Sequence, residues 1–165
     1  MKYQFRKIEP NPGVSSEDWL NWKWQFKFAL KTKADFQTHF DLTEDEEKAF
    51  DQGAEIFRFQ STPYYARLAD RSNPKDPVRQ ILVPHINEIS LNGQQLLDPL
   101  GERKNSPHPR LIHRYKDRVL FLVTDLCSVY CRYCTRKHFT GQDQVFVKQS
   151  EYESALDYIR SATNL

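Results

Sequence analysis

The three cysteines of this chain all fall within Cys127-Ser128-Val129-Tyr130-Cys131-Arg132-Tyr133-Cys134, a C-x3-C-x2-C spacing with none elsewhere. Thiolates this close can converge on one centre while the intervening backbone wraps around it, as in iron–sulfur and zinc sites. Three ligands rather than four point to a cube-type [4Fe-4S] cluster whose fourth iron is left open to bind a small molecule. Two other readings use the same residues. A closed zinc site would take Cys127, Cys131 and Cys134 with His138 as the fourth ligand of a Cys3His set, and a disulfide with one remaining thiol is the third possibility. Met1 to Pro10 is polar and charged with no apolar run of the signal-peptide kind, so a reducing, cytoplasmic compartment is expected, with thiolates available to metal.

The residues around the cysteines are more specific than their spacing. The stretch from Leu120 to Gln142, LFLVTDLCSVYCRYCTRKHFTGQ, resembles the cluster loop of the lysine 2,3-aminomutase family of radical S-adenosylmethionine enzymes. Upstream, Asp18 to Gln25 (DWLNWKWQ), Thr62-Pro63-Tyr64-Tyr65, Asp76-Pro77-Val78-Arg79 and His113 to Arg118 (HRYKDR) resemble the amino-terminal signature segments of that family, in the same order. The C-x3-C-x2-C pattern alone names only the broad radical superfamily; the flanking segments narrow it to aminomutases.

The resemblance implies an isomerase. Cys127, Cys131 and Cys134 would ligate a [4Fe-4S] cluster whose open iron chelates S-adenosylmethionine, and a reductant would drive its cleavage to a deoxyadenosyl radical. That radical would act on an amino acid carried by pyridoxal 5'-phosphate, with the amino group moving from C2 to C3. Arg114, Tyr115 and Arg118 match positions that contact the pyridoxal phosphate phosphate group, a role suited to planar bidentate donors and a phenol. Arg136 matches the arginine that binds the substrate α-carboxylate. Tyr133 occupies the aromatic position between the last two cysteines and would pack on the nucleoside or shield the cluster, and Arg132 would be a charged neighbour that tunes potential. Lysine is the default substrate, with glutamate, arginine or a lysine of translation elongation factor P as alternatives, because Lys137-His138 replaces the further arginines of lysine-specific members. The resemblance further implies that the chain is the amino-terminal portion of a longer enzyme, a homo-oligomer when full length, and inactive by itself.

Composition excludes some classes. At 165 residues the chain is one ordinary domain in size, with 39% hydrophobic and 28% charged residues and no apolar run near the ~18 residues a membrane span needs. Net charge is only +2 and no nucleic-acid motif is present, so neither a membrane nor nucleic acid is an expected partner. Charge is unevenly spread. Asp41, Glu44, Asp45, Glu46, Glu47 and Asp51 form an acidic stretch that reads as a solvated helix face. Arg103, Lys104, Arg110, Arg114, Lys116, Arg118, Arg132, Arg136 and Lys137 gather toward the cysteines and read as an anion site.

These residues need elements to hold them. Ser15-x-x-Asp18 followed by Trp19, Trp22, Phe26 and Leu30 predicts one amphipathic helix from Ser16 to about Thr32, its tryptophan stripe facing the core. Thr43-x-x-Glu46 opens a second, acidic helix, and Thr62 before Pro63 suits an N-cap with proline at the first helical position. Prolines and Asn92-Gly93 punctuate Asn73 to Pro109 into short helices and loops. Arg118 to Thr124 is a continuous apolar run of the sort that makes a strand buried on both faces of a parallel sheet. After the cysteine loop, Ser150-x-x-Glu153 predicts a helix with Tyr152, Ala155, Leu156 and Ile159 on one face. The expected fold class is α/β: a mainly helical, Pro-punctuated region over 1–110, then over 111–165 the first strand, cluster loop and helix of a radical-SAM-type partial barrel that is cut short, with the active-site loop at the carboxyl end of the strand.

Overall fold

A computed structural model describes residues 8–54, 58–90, 98–137, 139–141 and 146–162. The chain is α/β, with several helices and a pair of antiparallel strands. It divides into two compact units, Met1–Leu91 with Ser128–Tyr133 and Asn92–Cys127 with Cys134–Leu165. These units follow packing, whereas the division expected at 110/111 follows composition and resemblance.

The first unit is built from short, well-capped helices. Ser15 accepts from the Asp18 amide at 3.0 Å and opens α1, Ser16–Leu20. The helix stops there instead of continuing to Thr32. Asn21 lies in extended conformation, and its side chain accepts from the Lys23 amide at 2.9 Å, capping a separate α2, Trp22–Lys27. A short polar side chain that bonds its own backbone competes with the helical ladder, and here it wins. The break re-aims the aromatic residues, so that Trp19 and Leu30 are buried while Trp22 is 59% exposed. The tryptophan stripe is therefore only partly core. Thr32 and Asp35 cap α3, Lys33–His39, and Thr43 and Glu46 form the expected reciprocal box on α4, Glu44–Gly53. Thr62 caps α5, Pro63–Ala66, Asp76 caps α6, Pro77–Leu82, and α7 spans Asn87–Ser90. Asn92 and Gly93 lie outside the described residues.

The core of this unit joins Leu30, Phe36, Phe40, Phe50, Ala66, Leu82, Val83 and Val129, with Phe59, Tyr65 and Cys131 partly buried against it. Each large side chain so buried contributes about 1.5–3 kcal/mol. One member of the acidic stretch departs from the solvated-face expectation. Glu46 is buried and receives the guanidinium of Arg79, itself fully buried, through Nε at 3.1 Å and Nη2 at 2.7 Å. Arg79 also donates to the carbonyls of Arg71 and Asp41 and lies 5.3 Å from the Phe40 ring centre.

In the second unit a 3-10 helix, Arg103–Asn105, precedes β1, Leu111–Tyr115. Lys116 and Asp117 turn the chain into β2, Arg118–Phe121, with Leu111 opposite Phe121 and Tyr115 opposite Arg118. The strand expected over Arg118–Thr124 thus exists but is shorter, and it pairs antiparallel with its neighbour. Among the described residues the sheet has two strands, and a parallel barrel is not seen. The pairing is the local one, because a two-residue turn suffices for antiparallel strands whereas parallel ones need a crossover. Leu120 in β2 is 38% exposed and Val123, just beyond the strand, 50% exposed. The last helix, α8, spans Gln149–Ser161 and starts two residues earlier than its sequence signal, with Glu151 accepting from the Lys148 amide at 3.1 Å while Glu153 receives Gln149. It carries buried Ala155 and meets the hairpin through the Phe121–Tyr152 ring pair and a 2.7 Å hydrogen bond between His113 Nδ1 and the Tyr158 hydroxyl.

Candidate functional site

The cysteine motif is divided between the two units, with Cys131 counted in the first and Cys127 and Cys134 in the second. All three are half-buried and none is in a disulfide. His138, the fourth ligand of the zinc reading, lies outside the described residues. Among the described residues no three His, Cys, Asp or Glu side chains form a metal-ligand group. The donor set itself, three reduced thiols on irregular backbone, is of the kind that iron–sulfur clusters require.

Within the first unit, the segment Ser128–Tyr133 is held by backbone bonds. The Thr62 amide donates to Ser128 O at 3.1 Å, the Tyr130 amide to Gln60 O at 2.9 Å, and the Arg132 amide to Ile81 O at 2.9 Å. Ser61, fully buried, bridges Leu30 on one side and Val129 on the other. The residues flanking Cys131 are therefore added like a strand to the helical unit. The Arg132 side chain is clamped as well: Nε lies 3.2 and 3.1 Å from the two oxygens of Glu88, Nη2 lies 2.7 Å from Oε2, and the guanidinium sits 5.6 Å from the Phe59 ring centre. Tyr133 is 70% exposed. Burial, then the nearby Cys131 and Tyr133, push the Tyr65 hydroxyl above its usual pKa of 10.0.

In the second unit, the residues expected at the cofactor phosphate come together at the hairpin turn. The Arg118 guanidinium lies 4.4 Å and that of Arg114 6.0 Å from the ring centre of Tyr115, and all three side chains are exposed. Arg114 is steadied by a 2.8 Å bond to Leu100 O. Two cations flanking one phenol suit a dianionic phosphate. Arg136, expected at a substrate carboxylate, is gripped by buried Glu102 through Nε at 3.1 Å and Nη2 at 2.7 Å, and remains partly exposed. Arg110 pairs with buried Asp125, and its guanidinium is 5.0 Å from the Phe139 ring centre. Of the nine basic residues read as an anion site, Arg110, Arg132 and Arg136 thus face carboxylates, and Arg118 lies 3.5 Å from that of its neighbour Asp117. The exposed cations at the hairpin turn are Arg114, Lys116 and Arg118.

The carboxylates that organise these arginines, Glu88, Glu102 and Asp125, are the residues sequence reasoning missed. They stand 44, 34 and 15 positions from their partners, so no local spacing could have flagged them.

No protein-family model matches the chain. It is 42% identical over 164 residues to an L-lysine 2,3-aminomutase of Bacillus subtilis, covering 99% of this chain and 35% of the relative. It is 41% identical over 156 residues to the L-lysine 2,3-aminomutase of Clostridium subterminale, covering 94% and 38% respectively. The chain resembles the amino-terminal part of the lysine 2,3-aminomutase family. A glutamate 2,3-aminomutase of Clostridioides difficile is 32% identical over 146 residues, covering 88% of this chain. The chain spans little more than a third of the length of these aminomutase relatives, 34–38%. Two of the signature segments shared with the aminomutases have a clear physical role in the structure, since Arg79 anchors α6 to α4, and Thr62 both caps α5 and receives the cysteine segment at Ser128. No described helix is long and apolar enough to cross a membrane.

Proposed function

We propose that this chain is the cluster-binding, amino-terminal part of an amino-acid 2,3-aminomutase of the radical S-adenosylmethionine type, an isomerase with lysine as its foremost substrate and glutamate as the alternative. The observation that carries the reading is 41–42% identity to lysine 2,3-aminomutases over 94–99% of the chain. The chemistry of the site residues supports it. Cys127, Cys131 and Cys134 supply the three thiolates of a [4Fe-4S] cluster. Arg114, Tyr115 and Arg118 hold a phosphate at the hairpin turn, and Arg136, oriented by Glu102, offers a planar fork to a substrate carboxylate. Tyr133, its ring largely exposed, is suited to cover a nucleoside or keep water off the cluster. The cofactors supply the hard chemistry, a carbon radical from the cluster with S-adenosylmethionine and a π-system from pyridoxal phosphate, while the protein binds, orients and excludes quenchers. An electron donor is the implied partner.

β2, the cysteine loop and α8 have the order strand, loop, helix, and we assign them to the first βα unit of a barrel with its active-site loop at the carboxyl end of the strand. The exposed apolar side chain of Leu120 in β2 supports this, since a first barrel strand offers such side chains to further layers.

Anaerobic reconstitution of the chain with iron and sulfide tests the cluster assignment. The expected product is brown, with broad visible absorption that bleaches on reduction, and with iron and sulfide lost together in Cys131→Ala. Tight stoichiometric zinc with no iron uptake would refute it and select the Cys3His reading.

A further inference from the structure

We infer that Glu88 is a positioning residue for the cysteine motif, acting through Arg132. The inference rests on the proposal that Cys131 is a cluster ligand, but the restraint it describes belongs to the protein without metal. Arg132 directly follows Cys131 and is fixed at both its ends. Its main-chain amide donates to Ile81 O at 2.9 Å, and its guanidinium is shared between the two oxygens of Glu88 with a shortest contact of 2.7 Å. Glu88 is itself restrained, because its Oε1 accepts the His85 amide at 3.0 Å and α7, which carries it, packs on α4. Phe59 closes the face of the guanidinium at 5.6 Å and belongs to the periphery of the same apolar core as Cys131. The Arg132 side chain is only 10% exposed, so this ion pair is shielded from the screening that makes surface pairs weak.

Two consequences follow. Arg132 cannot swing away from the helical unit without leaving Glu88 and the Phe59 face together, so the backbone next to Cys131 is held where the Tyr130 and Arg132 amides set it. The carboxylate also balances the guanidinium, so Arg132 follows Cys131 as half of a neutral pair and not as a bare cation. Glu88 thus limits the very charge that the sequence assigns to Arg132 as a tuner of potential.

The test reads the thiol in the metal-free chain, by mass-mapped alkylation of Cys131 with Cys127 as internal reference, in Glu88→Gln and Arg132→Gln. The two variants separate restraint from charge. Loss of restraint speeds Cys131 alkylation in both. A pure charge effect moves them in opposite directions, because an unbalanced guanidinium favours the reactive thiolate and its removal disfavours it. The expected result is acceleration at Cys131 in both variants, about tenfold for loss of a charge-assisted bidentate contact. Unchanged rates in both variants, or rates that move in opposite directions, would overturn the inference. Tryptophan fluorescence in urea on the same samples identifies a variant that has unfolded. In that case Arg132→Lys, which keeps the charge and loses the fork, decides the matter by the same readout. Iron uptake by the wild-type chain is measured separately, so failure of the cluster assignment leaves the alkylation result readable.

Discussion

Replacing Arg79 with alanine should destabilise the first unit more than any surface substitution, and its size can be worked from the packing. The Arg79 side chain is 0% and that of Glu46 6% exposed. Four of the five guanidinium N–H groups are used: Nε and one Nη2 hydrogen go to Glu46, a second Nη2 hydrogen to Asp41 O at 2.8 Å, and an Nη1 hydrogen to Arg71 O. Truncation leaves the Glu46 carboxylate buried with, among the described residues, only the Thr43 amide as a partner at 2.7 Å, and removes one donor from the Asp41 carbonyl and one from the Arg71 carbonyl, which keeps the Asp41 amide at 3.1 Å. Breaking a buried pair by removing one partner costs about 3–5 kcal/mol, a large share of the ~5–15 kcal/mol that holds a typical domain together. With a urea slope of about 1–3 kcal/mol/M, the unfolding midpoint should fall by roughly 1–5 M. All three tryptophans, Trp19, Trp22 and Trp24, lie in this unit, so their fluorescence reports its unfolding directly. The double variant Arg79→Met with Glu46→Leu should recover most of the loss, because an apolar pair removes both charges from the interior. A midpoint change equivalent to less than ~1 kcal/mol in Arg79→Ala would place the pair in the class of surface ion pairs and refute this account of the α4–α6 junction.

The same fluorescence assay should reveal a histidine-linked loss of stability on acidification. Burial, reinforced by Arg67 and Arg71 and opposed by Asp35, holds His39 below its ordinary pKa of 6.5, and its Nε2 accepts from the Asn11 side chain at 3.3 Å. A group whose folded pKa is depressed costs nothing above the unfolded value, so stability should be level above pH 6.5 and decline as pH falls below it. His39→Gln should flatten that decline, and an unaltered profile would show that another group governs it. At the hairpin, pyridoxine 5'-phosphate, which carries the phosphate but no aldehyde, should shift the amide resonances of 114–118 in the wild-type chain and not in the double variant Arg114→Ala with Arg118→Ala. Equal shifts in both proteins would remove the phosphate role from these residues.

The features that could be read directly from the sequence are those whose physics is local. Ser15, Thr43 and Thr62 cap helices because an N-cap oxygen reaches an amide three residues on, a distance that spacing alone fixes. The three cysteines, the apolar run at Arg118–Phe121 and the segments shared with aminomutases are likewise short patterns, and a two-residue turn gathers Arg114, Tyr115 and Arg118 at one end of the hairpin. The tertiary structure decided everything that depends on which distant surfaces meet. Asn21 broke the expected long helix because its cap competed with a ladder whose outcome depends on where Trp19 and Leu30 are buried. β2 paired with β1 in place of a parallel partner, since the nearest strand in sequence was also the nearest in space. The arginines drew carboxylates 15 to 44 positions away, Asp125 for Arg110, Glu102 for Arg136 and Glu88 for Arg132. A desolvated guanidinium must find a counter-charge wherever packing brings one, and no periodicity in the chain records that choice.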